Sequence, residues 1–197
     1  SDVDKRQIYT RALPKALIYG FGFSSGVDME GRYLQVDFDN ISIGSLLAPS
    51  TTTNIESQEV KMQFFDDLQA HLTKISRKRR DFIFCGDWGI APKADDVSNP
   101  STQQLASGFL PEEQHWMKQL SQVGYIDAFR HGNEDKDEYS WWPSGELDVG
   151  DAWRSDLQIV SSSLTQKIDY AMIYKSKLFS SHLPVIVDYD VELVPED

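Results

Sequence analysis

The chain has 197 residues, a net charge of −12, 40% hydrophobic and 25% charged residues, an ordinary globular composition with apolar content for one sizeable core. The charge argues against sequence-blind attraction to nucleic acid, which depends on Lys and Arg neutralising phosphate. No apolar run approaches the roughly 18 residues of a membrane span, and Cys85, the sole cysteine, rules out an intrachain disulfide and suits a cytoplasmic setting.

Ser1–Gln7 is a polar lead-in. Ala16–Phe23 is a mostly apolar run broken by Gly20 and Gly22, read as a strand, and Gly26–Gly31 as a turn. Arg32–Phe38 alternates polar and apolar residues with the period of a half-buried strand; Asp39-Asn40 makes a tight turn and Ile41–Leu47 returns as the second arm of a hairpin. After the polar loop Ser50–Ser57, the spacing of Met62, Phe65, Leu68, Leu72 and Ile75 predicts one helix over Gln58–Arg80. Phe82–Ala91 reads as a buried strand ending at Gly86, with Asp87 delivered to its C-terminal rim, where open α/β sheets place their sites; alternatively, Asp87 is a turn former after glycine.

Pro92–Gly108 is irregular, with Asp95, Asp96 and Asn99-Pro100. Pro111–Gly124 is a helix with Pro111 in its first turn, Gly124 at its C-terminal end and Trp116, Leu120 and Val123 inward. A charged loop, His131–Glu138, leads to an aromatic strand, Tyr139–Pro143. Trp153–Val160, Tyr170–Tyr174 and Val185–Leu193 are further strands, with a short helical or turn segment at Leu164–Ile168. Nothing marks a domain boundary, so 1–197 reads as a single α/β domain.

Two features have competing readings. The basic run Arg77, Lys78, Arg79, Arg80 is either a solvated helix end that complements the dipole or a patch for an anionic partner. Trp141 and Trp142 are either core residues or a base-stacking surface.

Gly86-Asp87, Trp153-Arg154-Ser155-Asp156 and Ser181-His182-Leu183-Pro184, each beside an apolar run, resemble the exonuclease III-like branch of the endonuclease/exonuclease/phosphatase superfamily. Its motifs are Gly-Asp-x-Asn, Trp-Arg-x-Asp and Ser-Asp-His-x-Pro. Gly31–Asp39 and Gly108–Arg130 are similar to it as well. The resemblance implies a four-layer α/β sandwich of two packed sheets flanked by helices. The family's first strands, with an Asn and a metal-binding Glu, have no counterpart in 1–197, so the sandwich is expected to lack its N-terminal strands.

The resemblance also implies phosphodiester hydrolysis with Asp87 at the water-activating position, Asp156 at the supporting Asp and His182 at the phosphate-contacting His. The motif Asn is Gly89, the Asp before His182 is Ser181, and a Tyr near the phosphate is Leu47. These substitutions match the catabolite repression control branch, whose members keep the scaffold without nuclease function. The expectation is therefore a decayed site holding no metal and needing no cofactor. The chain would act as a translational co-repressor with an Sm-like RNA chaperone on A-rich mRNA, through Arg77–Arg80, Trp141 and Trp142. The alternative is a Mg²⁺-dependent exodeoxyribonuclease or abasic-site endonuclease in DNA repair, with abasic sites or 3′ ends of DNA as its partners.

Overall fold

The computed structural model describes residues 6–22, 31–49 and 55–193. The expected Gly26–Gly31 turn, except Gly31, and most of Ser1–Gln7 and Ser50–Ser57 lie outside the described residues. The elements in chain order are β1 (Ala16–Tyr19), β2 (Tyr33–Asp37), β3 (Ile41–Leu47), α1 (Ile55–Ile75), β4 (Asp81–Asp87), a 3₁₀ turn (Ala94–Asp96), α2 (Pro111–Gln122), β5 (Tyr125–Asp127), α3 (Ala128–Gly132), β6 (Asp156–Ser161), a second 3₁₀ turn (Ser162–Lys167), β7 (Ile168–Ile173) and β8 (Val185–Tyr189).

The strands form a six-stranded sheet in the order β1-β2-β3-β4-β6-β5 and a two-stranded sheet β7-β8. β3 and β4 are parallel, as they must be when α1 carries the chain back between them; every other pair is antiparallel. One face of the large sheet, through Tyr33, Leu46, Phe82, Phe84 and Leu157, packs on Phe65, Leu68 and Leu72 of α1 and on Trp116 and Leu120 of α2. The opposite face, through Val36, Ile41, Ile83 and Val160, meets Ile168, Val187 and Tyr189 of the small sheet. Helix, sheet and sheet thus stack in layers, the α/β sandwich expected.

The predicted elements change at their ends. The helix of Gln58–Arg80 spans Ile55–Ile75, so the basic run lies beyond it in the turn entering β4. Tyr139–Pro143 is no strand; Trp141 makes only isolated bridges, to Trp153 and His182. The strand expected from Trp153 begins at Asp156. Gly86 has a φ of 151°, and a Cβ there would collide with the Leu46 carbonyl on the parallel neighbour. Only glycine lets β4 run this close to β3 immediately before the Asp.

Candidate active site

Asp87 ends β4 and Asp156 begins β6, and the antiparallel register of the two strands sets these residues opposite each other. His182 arrives from the connection between β7 and β8, its backbone bridged to Trp141. One ligand atom from each of Asp87, Asp156 and His182 can be chosen so that all lie within 4.8 Å of one another. Asp87 and His182 line a cleft of about 380 Å³ whose walls include Arg32, Leu47, Lys61 and Trp141.

His182 is held by Asp156. Its Nδ1 lies 2.9 Å from Asp156 Oδ2 and 3.1 Å from Oδ1, while Ser140 Oγ donates to Oδ2 at 2.6 Å. The Trp141 ring stacks on the imidazole with centroids 5.8 Å apart and planes at 21°. With Nδ1 donating to the carboxylate, Nε2 is the ring nitrogen left for the cleft. The sequence reading treated Ser181 as a loss that would leave the imidazole loosely oriented. The carboxylate that orients it comes instead from β6, and Ser181 is exposed. Burial disfavours the imidazolium, but the hydrogen bond to Asp156 and the charges of Asp156 and Asp87 outweigh it and raise the His182 pKa above its ordinary value.

Asp87 is shifted the other way from a salt-bridged carboxylate. Burial raises its pKa and the charge of Asp156 adds to this, against the opposing influence of His182, the Gly89 N–H and Lys61. The Gly89 N–H donates to Asp87 Oδ1 at 2.9 Å. Position 89, counted as lost for want of an Asn side chain, therefore still orients the carboxylate through its main chain.

Sequence reasoning singled out neither Lys61 of α1 nor Glu113 of α2. Both are buried: Lys61 Nζ donates to Gly89 O and to Glu113 Oε1, each at 2.7 Å, and Glu113 Oε2 accepts the N–H groups of Gly108 and Leu110. A cation at every helix turn is unremarkable in sequence; only the fold shows that this one points inward.

The proposed partner residues are scattered. Trp142 is 5% exposed in the apolar cluster of Phe129, Ala171 and Leu183, whereas Trp141 stands in the cleft. Arg80 donates to the carbonyls of Phe38, Asp39 and Ile41 and to Ser42 Oγ, clamping the turn of the β2–β3 hairpin. Arg77, Lys78 and Arg79 are exposed at the end of β4 remote from Asp87, and the last two line a separate cleft with Ser161, Ser162 and Ser163. Arg80→Met should lower stability by about 1.5–3 kcal/mol, the usual cost of losing hydrogen bonds from a charged donor, as measured by urea unfolding.

Two half-buried carboxylates beside a histidine suit a hard divalent cation. Their mutual repulsion, visible in the raised Asp87 pKa, is what such a cation relieves. Asp156 already serves His182 and Ser140, so Asp87 is the carboxylate that fits Mg²⁺, an ion often held by one or two carboxylates together with substrate phosphates and water.

No family model matches the chain. It is 30% identical over 181 residues to an exodeoxyribonuclease of Bacillus subtilis, covering 90% of this chain and 71% of that protein. It is 28% identical over 190 residues to a DNA-(apurinic or apyrimidinic site) endonuclease of Dictyostelium discoideum, covering 93% of this chain and 52% of that one. Among solved structures, a 3′-5′ exonuclease from Neisseria meningitidis superposes with a TM-score of 0.83 at 17% identity, over 92% of this chain and 73% of the other. The chain belongs to the exonuclease III/AP endonuclease family of the endonuclease/exonuclease/phosphatase superfamily.

That finding overturns the co-repressor expectation. The relatives are DNA exonucleases and abasic-site endonucleases, and nothing supports the catabolite repression control branch, an Sm-like chaperone or A-rich mRNA. The expectation came from counting substitutions position by position, which does not show that in the fold Asp156 bonds His182 and the Gly89 N–H bonds Asp87. Among the described residues no helix is long and apolar enough to cross a membrane.

Proposed function

We propose that this chain is a metal-dependent phosphodiesterase acting on DNA, at abasic sites or 3′ ends. The observation that carries the reading is the juxtaposition of Asp87, Asp156 and His182 at one rim of the sheet, with Asp87 and His182 lining a cleft. Exodeoxyribonuclease and abasic-site endonuclease relatives support the substrate class.

His182, oriented by Asp156, which also favours its protonated form, in that form presents Nε2–H toward a phosphate oxygen and offsets the charge that grows there as the phosphorus is attacked. Asp87, held by the Gly89 N–H, is the carboxylate placed to accept a proton from the attacking water. Mg²⁺ at Asp87, when bound, supplies Lewis-acid stabilisation of the phosphoryl oxygens. Leu47 and Trp141 form an apolar wall, and the buried Trp153 Nε1–H has no hydrogen-bond partner among the described residues, leaving a donor for a ligand.

The test is cleavage of a labelled duplex bearing one abasic site, with Mg²⁺ or Mn²⁺, alongside Asp87→Ala. Cleavage by the parent that falls at least about 10²-fold in the variant is the expected result, the scale on which removal of one acid–base group acts. Equal rates from the two proteins, or none from the parent, would sink the reading.

A further inference from the structure

Lys61 has more donor capacity than the protein uses. Its side chain is 2% exposed, and two of its three N–H bonds are taken at 2.7 Å by Glu113 Oε1 and Gly89 O. The third reaches only Ser107 Oγ at 3.5 Å, beyond the range of a good hydrogen bond. A buried ammonium with a poorly satisfied proton is costly unless a ligand completes it.

The position of that ammonium gives the spare proton a use. Lys61 lines the same cleft as Asp87 and His182. The absence of a side chain at Gly89 keeps the space between this buried ammonium and the cleft free: a Cβ there would already stand 3.6 Å from Nζ, and a longer side chain would cap it. Glu113 is fixed in turn by the N–H groups of Gly108 and Leu110, so the ammonium is held in place before any ligand arrives.

We propose that Lys61 is a direct phosphate ligand in the cleft, donating its third proton to a non-bridging oxygen of the nucleic-acid backbone next to Asp87. This rests on the nuclease reading above and adds to it a cation from α1. An ammonium preorganised by a carboxylate and a carbonyl makes a charge-assisted contact with little loss of side-chain freedom on binding.

The test is the salt dependence of kcat/KM on the abasic-site duplex, for the parent and for Lys61→Met over a KCl series. Loss of one phosphate contact should reduce the slope of log kcat/KM against log salt by about one and lower kcat/KM about tenfold at low salt. A lysine that only braces the fold would change stability and leave that slope alone. Should Lys61→Met fail to fold, Lys61→Met combined with Glu113→Gln, which leaves no buried charge, takes its place in the same series. A parent that cleaves, with an unchanged slope in the folded variant, overturns the Lys61 assignment alone. A parent that does not cleave overturns the nuclease reading and this assignment with it.

Discussion

Asp156→Asn is expected to lower abasic-site cleavage by about 10³–10⁴-fold with the fold intact, the scale seen when the carboxylate behind a catalytic imidazole becomes an amide. The substitution keeps the shape, and Ser140 can still bond the amide, so β6 has no reason to move. What changes is the face shown to His182 Nδ1. If the NH₂ turns toward the ring, Nδ1 must accept and the ring proton shifts to Nε2 of a neutral imidazole. If the carbonyl turns that way, the tautomer survives but the negative charge is gone. Either way the raised His182 pKa relaxes toward its ordinary value of about 6.5. The active protonated form is lost as pH rises through that pKa, so the alkaline limb of kcat/KM should move to lower pH in the variant. A pH series on both proteins checks this, and parental activity in Asp156→Asn would remove the imidazolium from the reaction.

The second large effect lies away from the cleft. Asp96 is fully buried and accepts from Arg154 Nε at 2.8 Å and from Arg130 Nε and Nη2 at 3.0 and 2.9 Å. Arg154 is itself 0% exposed and completes its contacts on Asp127. Asp96→Asn leaves a buried guanidinium short of its counter-charge, a change that typically costs about 3–5 kcal/mol. Burial pushes the Asp96 pKa up, but the two arginines outweigh it and hold the carboxyl below its ordinary value. A depressed folded-state pKa stabilises the native protein above the unfolded value of about 3.9, and that contribution disappears as pH falls through the folded value. Urea unfolding should therefore show the parent losing stability below about pH 4, and Asp96→Asn, already weakened at neutral pH, losing less on acidification. Equal stability of the two at pH 7 would show that the network contributes nothing net.

Local pattern carried the sheet well and the side-chain roles poorly. Alternation over Arg32–Phe38 and the apolar run from Phe82 mark β2 and β4 because strand periodicity is a short-range property. Asp87, Asp156 and His182 were legible through motif resemblance, and the fold brings all of them together. The partnership of His182 with Asp156 was not legible, since it joins two strand-edge segments that only tertiary folding makes adjacent. Lys61 went unnoticed and Arg80 was misassigned for a related reason. A basic residue reads as solvated in sequence, yet one is drawn inward by a glutamate from α2 and the other by carbonyls at a hairpin turn.

The pairing of β4 between β3 and β6 has a consequence for how the site comes into being. The parallel partner lies on the far side of α1, the antiparallel one beyond α2 and α3, and His182 follows only after β7. Closing such loops is the slow part of folding, because chain entropy is lost before distant contacts compensate. The cluster of Asp87, Asp156 and His182 therefore rests on contacts between residues far apart in the sequence. A chain halted before His182, or one nicked so that β4 and β6 part, would lack the juxtaposition of Asp87, Asp156 and His182.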